Sequence, residues 1–183
     1  MNANTKLFFE YFLTYNVVFV LFFGTLLPVA AGLAVKRSLK AGVKYAVVLA
    51  LAGVSGTALF TLVPEEYPFL NQVVVLVVAI TASAVLRGWG ELDGEWAGMP
   101  RALLFIAPVA GLQTYLWTND ITGLEGVVVS FAAGTGLYVG TVILTALIEQ
   151  LRIAEAPDYA KRIGTLFFAI AIFALGFAGF HFL

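Results

Sequence analysis

Polar and apolar positions along this chain neither alternate nor trace narrow helical stripes. The apolar residues come in long blocks instead. Charged residues cut the chain into six uncharged stretches: Tyr11–Val35, Tyr45–Pro64, Tyr67–Leu86, Ala102–Asn119, Gly126–Ile148 and Ile163–Leu183. Each is near the roughly 20 residues that a helix needs to cross the hydrocarbon core of a bilayer. In lipid only helices and closed barrels satisfy every backbone polar group, and these blocks lack the alternation of barrel strands. The pattern predicts an all-α integral membrane protein with six transmembrane helices, in a single membrane domain over residues 1–183. A soluble helical bundle is the competing class, and block lengths of this kind argue against it.

Composition sharpens the prediction. Of 183 residues, 61% are hydrophobic and 11% charged, against roughly 45–50% apolar in a soluble domain. A secretory leader over Leu7–Ala31, cleaved near Pro28-Val29-Ala30-Ala31-Gly32, is a second reading of the first block. That block is too long for a leader core, and Glu10 stands where a leader carries positive charge.

The placement of the basic residues predicts an orientation. Lys6 precedes the first span. Lys36, Arg37, Lys40, Lys44, Arg87, Arg101, Arg152, Lys161 and Arg162 all fall in the loops after spans one, three and five. Nine basic residues on one side against one on the other puts the basic side in the cytoplasm and both termini outside. The expected location is the cytoplasmic (inner) membrane of a bacterium or archaeon. Net charge is −1, so nothing points to nucleic acid, and the partner implied by composition is the lipid bilayer.

The chain repeats itself weakly. A shift of 84 positions brings Gly42-Val43 onto Gly126-Val127, Gly56-Thr57 onto Gly140-Thr141, Thr61 onto Thr145 and Glu65 onto Glu149. Leu26-Leu27-Pro28-Val29-Ala30-Ala31-Gly32-Leu33 is echoed by Ile106-Ala107-Pro108-Val109-Ala110-Gly111-Leu112, 80 positions later. Residues 1–86 and 102–183 then form two three-helix repeats. Three is odd, so the second copy is inverted relative to the first. Inverted repeats with interrupted helices are a transporter architecture, with the site where helices break near the midplane. Chance recurrence of small residues is the competing explanation.

Candidate breaks fall at Gly24, Thr25 and Pro28 in span one, and at Pro108, Gly111 and Gln113 in span four. Proline in a helix interior removes a hydrogen bond and clashes one turn back. Thr14, Tyr15, Asn16, Gln113, Thr114, Thr118 and Asn119 add polar groups to the same two spans. Freed backbone there could line a cavity or coordinate an ion; alternatively the hydroxyls bond back to their own helices and the prolines only kink them. Both readings stay open. Gly136 and Gly140 in span five, matched by Ala52 and Gly56 in span two, have the small-x-x-x-small spacing that lets helices approach closely. Packing is the expected role of these four. Gly126, beside Glu125, is expected at the membrane surface.

Catalytic chemistry finds no residues. There is no cysteine, and the single histidine, His181, is third from the end. No metal site, thiol nucleophile or cofactor bound by this chain alone is expected. No charged residue lies within any block, which argues against a proton relay. Glu10, Glu65 and Glu149 read as interfacial. So do Trp89, Trp96, Trp117, Tyr67 and Tyr159. The Gly-rich 87–101 segment reads as an irregular connection.

Several segments resemble a known family. Glu149 to Pro157 reads E-x-L-x-x-A-x-x-P. It is followed by Lys161-Arg162 and by Leu175 to Phe180, an L-x-F-x-G-F ending. Tyr15-Asn16-Val17-Val18-Phe19-Val20 and Phe22-Phe23-Gly24 precede Pro28. With the basic segment after span one and the Pro108 stretch, these resemble the paired six-helix membrane subunits of the Rnf and Nqr respiratory complexes. An outward N-terminus is similar to the RnfA/NqrE type. The resemblance implies an inverted repeat and membrane-complex partners, among them an oppositely oriented homologous subunit. It also implies redox-driven Na⁺ or H⁺ translocation. In that family a cysteine precedes the first proline and another lies six residues after the second. Two subunits thereby supply four thiolates to one 2Fe–2S cluster. Leu27 and Thr114 occupy those places here. The resemblance therefore implies a complex subunit without its own cluster. A stand-alone inverted-repeat transporter or channel for a small solute or ion, and a scaffold anchoring another membrane enzyme, are the alternatives.

Overall fold

The computed structural model describes residues 3–16, 24–31, 35–64, 66–67, 69–96, 98–153 and 163–179. Described elements are mainly helical. A short helix α1 (Ala3–Phe9) continues into a π-helical turn (Glu10–Thr14). It is followed by α2 (Leu26–Ala31), α3 (Val35–Phe60), α4 (Phe69–Gly88) and a two-residue ribbon of β1 (Glu95–Trp96) with β2 (Met99–Pro100). A 3₁₀ turn (Arg101–Phe105) leads into α5 (Ile106–Thr118), then α6 (Gly123–Ile153) and α7 (Ile163–Gly179).

Three of these helices are long and apolar enough to cross a membrane: α3 with 26 residues, α4 with 20, and the 29 residues Gly123–Leu151 of α6. At about 1.5 Å per residue, 20 residues already span the roughly 30 Å hydrocarbon thickness. The chain is a multi-pass helical membrane protein. Predicted span four is shorter than its block, because Arg101–Phe105 is 3₁₀ and only Ile106–Thr118 is α-helical.

The centre of the molecule is the α3–α6 pair, the most extensive contact between any two described elements. The two helices run antiparallel. A Cβ on Gly42 would meet Tyr138, one on Gly134 would stand 2.6 Å from the Ala46 carbonyl oxygen, and one on Gly126 would stand 2.7 Å from Thr57 Cγ2. Gly53 packs on Ser130 between them. On α6 the contact positions 126, 130, 134 and 138 recur every four residues, one ridge of the helix surface. In lipid there is little hydrophobic drive between helices, so backbone approach at small residues supplies the attraction. Helices α4 and α5 pack on the other side of α3, and α1 lies along α6.

The structure redistributes the small residues. Gly136 and Gly140 do not meet Ala52 and Gly56 across the central pair. Gly136 makes room for Asn16, whose Nδ2 would lie 3.0 Å from an added Cβ. Gly56 makes room for Gln113 of α5, and Gly140 is buried. Gly126, expected at the surface, is buried against Thr57. Two motifs of equal spacing on one helix face different neighbours because successive i, i+4 rows lie around the helix circumference.

The 87–101 segment is ordered rather than irregular. Lys44 Nζ donates to Glu91 Oε1 at 2.8 Å, and Leu92 is buried at 7% exposure. The β1–β2 ribbon closes the segment, with Glu95 opposite Pro100 and Trp96 opposite Met99. Arg101 N–H donates to the Gly94 carbonyl at 3.0 Å. The segment folds back over the first third of α3.

Candidate functional site

The two proline segments meet in space. Gly24 has φ +83°, a conformation open to glycine, and forms a turn in which Leu27 N–H donates to the Gly24 carbonyl at 3.0 Å. An added Cβ at Gly24 would stand 3.4 Å from Pro108 Cβ and 3.0 Å from Leu137 Cδ1. Gly24 and Thr25 thus form a turn, as the sequence predicts.

The prolines themselves are not breaks. Pro28 is the third residue of α2 and Pro108 the third residue of α5. In the first turn a helix has no intrahelical partner for its N–H groups, so proline costs little there. Pro108, Gly111 and Gln113 all lie inside the continuous helix Ile106–Thr118. This corrects the expectation of unwound backbone at those three positions. The irregularity lies one step earlier, where the 3₁₀ turn removes the α-helical carbonyl geometry that the Pro108 ring would strike.

Most hydroxyls in the long helices bond back to their own helix. Ser130 Oγ donates to the Gly126 carbonyl, Thr145 Oγ1 to Thr141 and Ser83 Oγ to Ala79. Thr57, Ser55 and Thr61 do the same in α3 and just beyond it. Such bonds satisfy the hydroxyl proton without a ligand. Gln113 is different. Its side chain is fully buried, and Nε2 donates across to the Ala52 carbonyl of α3 at 2.9 Å. Its Oε1 is buried without a hydrogen-bond partner among the described residues. The small residues Ala52 and Gly56 therefore serve as the seat of Gln113.

A tyrosine cluster, which block patterning does not reveal, joins spans one and four. Tyr11 and Tyr15 stand 5.5 Å apart by ring centroid, and Tyr115 lies 5.9 Å and 6.4 Å from them. Asn16 is buried, with Nδ2 donating to the Phe12 carbonyl at 2.9 Å.

The positions that the resemblance marks as cluster ligands are separated by environment. Leu27 is fully buried, whereas Thr114 is exposed and its carbonyl accepts from Thr118 Oγ1 at 2.8 Å. Leucine has no ligand atom, and no group of three or more His, Cys, Asp or Glu side chains comes together among the described residues. These residues do not fit a thiolate-held iron–sulfur cluster.

Glu149 is not a solvated helix-end carboxylate. Its Oε2 accepts the Val35 backbone N–H at 2.9 Å, across 114 residues of sequence. A carboxylate at a helix N-terminus satisfies an orphan donor and faces the positive end of the dipole. Glu10 is half-buried in the π turn. Trp89 and Tyr67 are about half exposed, at 48% and 49%, consistent with interfacial positions. Glu65, Tyr159 and His181 lie outside the described residues, as do Ala154 to Pro157 and Phe180 of the resemblance motifs.

Fold and site together define a multi-pass helical membrane protein whose buried polar groups hold helices together. Comparison with known proteins narrows that class. No family model matches the chain. It is 24% identical over 180 residues to the NqrE subunit of the Na⁺-translocating NADH-quinone reductase of Actinobacillus succinogenes, covering 90% of both chains. It is 26% identical over 122 residues to the NqrE subunit of Pasteurella multocida, covering 63% of this chain. The match spans 61% of the Pasteurella protein and 35% of the NqrE subunit of Alcanivorax borkumensis, the latter at 29% identity. These relatives support the Rnf/Nqr membrane-subunit family, with its links to electron transport and ion translocation.

Proposed function

We propose that this chain is a membrane subunit of an Rnf/Nqr-like, redox-driven Na⁺ or H⁺ translocating complex, and that it holds no iron–sulfur cluster of its own. The observation that carries the reading is a relation to NqrE proteins that runs over 90% of both chains, in a protein without one cysteine. Its architecture is six spans in two inverted repeats, 1–86 and 102–183, with both termini outside the cytoplasmic membrane. Its partner is an oppositely oriented homologous subunit.

Geometry at the centre supports the inverted repeat. Ala50 and Gly134 are equivalent under the 84-residue shift, and Ala50 Cβ would stand 3.2 Å from a Cβ at Gly134. Two antiparallel helices related by a twofold axis must cross at equivalent residues. Gly24 beside Pro108 brings the two proline segments together in the same way. The stand-alone transporter reading relies on unwound backbone in both proline spans, and α5 is continuous through Pro108, Gly111 and Gln113.

The test is affinity purification of the tagged chain from its native membrane in mild detergent. The expected result is co-purification of a second six-helix subunit with flavin- and quinone-handling proteins. The isolated chain is expected to lack the paramagnetic signal of a reduced 2Fe–2S centre. A chain that purifies alone and transports a solute in vesicles overturns the reading.

A further inference from the structure

We infer that the folded 87–101 segment and α3 enclose a binding site for a single phosphate monoanion at the basic end of the bundle. A cavity of about 120 Å³ lies there, lined by Arg37, Tyr45, Glu91, Asp93 and Arg101 together with Gly90 and Leu92. Tyr45 is fully buried, and its hydroxyl has no hydrogen-bond partner among the described residues. Arg101 Nε, also buried, has none either. Two unpaired polar atoms on the wall of one cavity are costly, because a buried donor without an acceptor forfeits its hydration. Both are donors, so the missing group is an acceptor.

Charge defines the acceptor further. Glu91 is engaged by Lys44 at 2.8 Å. That leaves Arg37 and Arg101 against Asp93, a balance of one positive charge. Arg101 Nη1 contacts only the Asp93 carbonyl, at 3.5 Å, so most of its guanidinium fork is free to meet an oxyanion, the geometry arginine favours. At about 30 Å³ per water-sized group, the cavity holds one four-oxygen phosphate and excludes a nucleotide. A phosphodiester carries one negative charge, as does dihydrogen phosphate.

Depth is consistent with a lipid source. Tyr45 stands ten residues into α3, about 15 Å along its axis, below the rim formed by Lys36, Arg37, Lys40 and Arg87. Basic rims of this kind gather anionic headgroups. The site is independent of the complex-subunit reading, since it uses none of the residues of the proline segments.

The experiment measures thermal unfolding of the full chain in uncharged detergent, titrated with phosphatidylglycerol, with diacylglycerol of the same acyl chains, and with inorganic phosphate. Phosphatidylglycerol is expected to raise the melting temperature and diacylglycerol to leave it unchanged. Tyr45→Phe and Arg101→Gln are each expected to weaken the titration midpoint about tenfold. Without added anion, Tyr45→Phe is expected to melt at or above the wild type, because it removes an unpaired buried hydroxyl. Stabilisation by inorganic phosphate alone, lost in both variants, assigns the site to soluble phosphate. A response to phosphatidylglycerol that both variants retain, or equal responses to both lipids, overturns the proposal. Should Tyr45→Phe fail to fold, Arg101→Gln carries the same comparison.

Discussion

Gln113 donates its side-chain amide to the carbonyl of Ala52, 2.9 Å away and 61 residues earlier in the chain. The bond exists because Gly56, one turn on from Ala52, has no side chain: a Cβ there would stand 2.7 Å from Gln113 Nε2. Gly56→Ala is expected to destabilise the protein by about 1–3 kcal/mol through overpacking. In a Gln113→Ala background the same substitution should cost less than half as much, because the crowded amide is gone. Unfolding of the four members of this double-mutant cycle checks the coupling.

Gly134 and Gly126 set the approach of α3 and α6. Gly134→Leu must displace the Ala46 backbone, and Gly126→Leu must displace Thr57. Both are expected to abolish the folded chain in detergent, as read by size-exclusion chromatography. Gly164 has nothing within 4 Å of an added Cβ. Gly164→Ala is expected to be neutral or to gain up to about 1 kcal/mol from helix propensity.

The antiparallel register of these helices is open to cross-linking, since the chain has no cysteine to interfere. A Cβ on Gly126 would lie 3.3 Å from Thr57 Cβ, just short of the roughly 3.5–4.5 Å range of a disulfide. The double variant Thr57→Cys with Gly126→Cys is expected to oxidise within one chain, giving a faster-migrating monomer on non-reducing gels. A dimer band instead would place the contact between chains.

Glu149 holds the start of α3 by accepting the Val35 N–H. Glu149→Ala is expected to cost about 1 kcal/mol, the usual loss for a helix N-terminal acceptor. Glu149→Gln keeps an acceptor oxygen and should retain most of the stability. Denaturant midpoints of the three proteins decide between a capping role and a solvated carboxylate.

Orientation follows from the nine-to-one distribution of Lys and Arg. A periplasm-dependent reporter fused after Leu183 is expected to be active. A cytoplasmic signal there would remove both the orientation and the odd-numbered inverted repeat.

Block length and composition determined by themselves that this is a helical membrane protein. Long apolar blocks without alternation have only one common solution in lipid, and α3, α4 and α6 obey it. The sequence also marked Gly24 and Thr25 as a turn, because a glycine just ahead of a proline is a local signal. What it could not decide was which neighbour each small residue meets. Gly126, Gly134, Gly136 and Gly140 share one helix and similar spacing, yet Gly126 receives Thr57, Gly134 receives the Ala46 backbone and Gly136 receives Asn16. Helix rotation and partner choice are set by packing across the whole bundle, and those contacts join residues tens of positions apart. The prolines teach the same lesson locally. Pro108 is cheap or costly according to where its helix begins, and that point depends on the 3₁₀ turn and the folded segment before it. Glu149 reads as an end-of-helix carboxylate from its own surroundings, and only the tertiary fold brings the start of α3 to it.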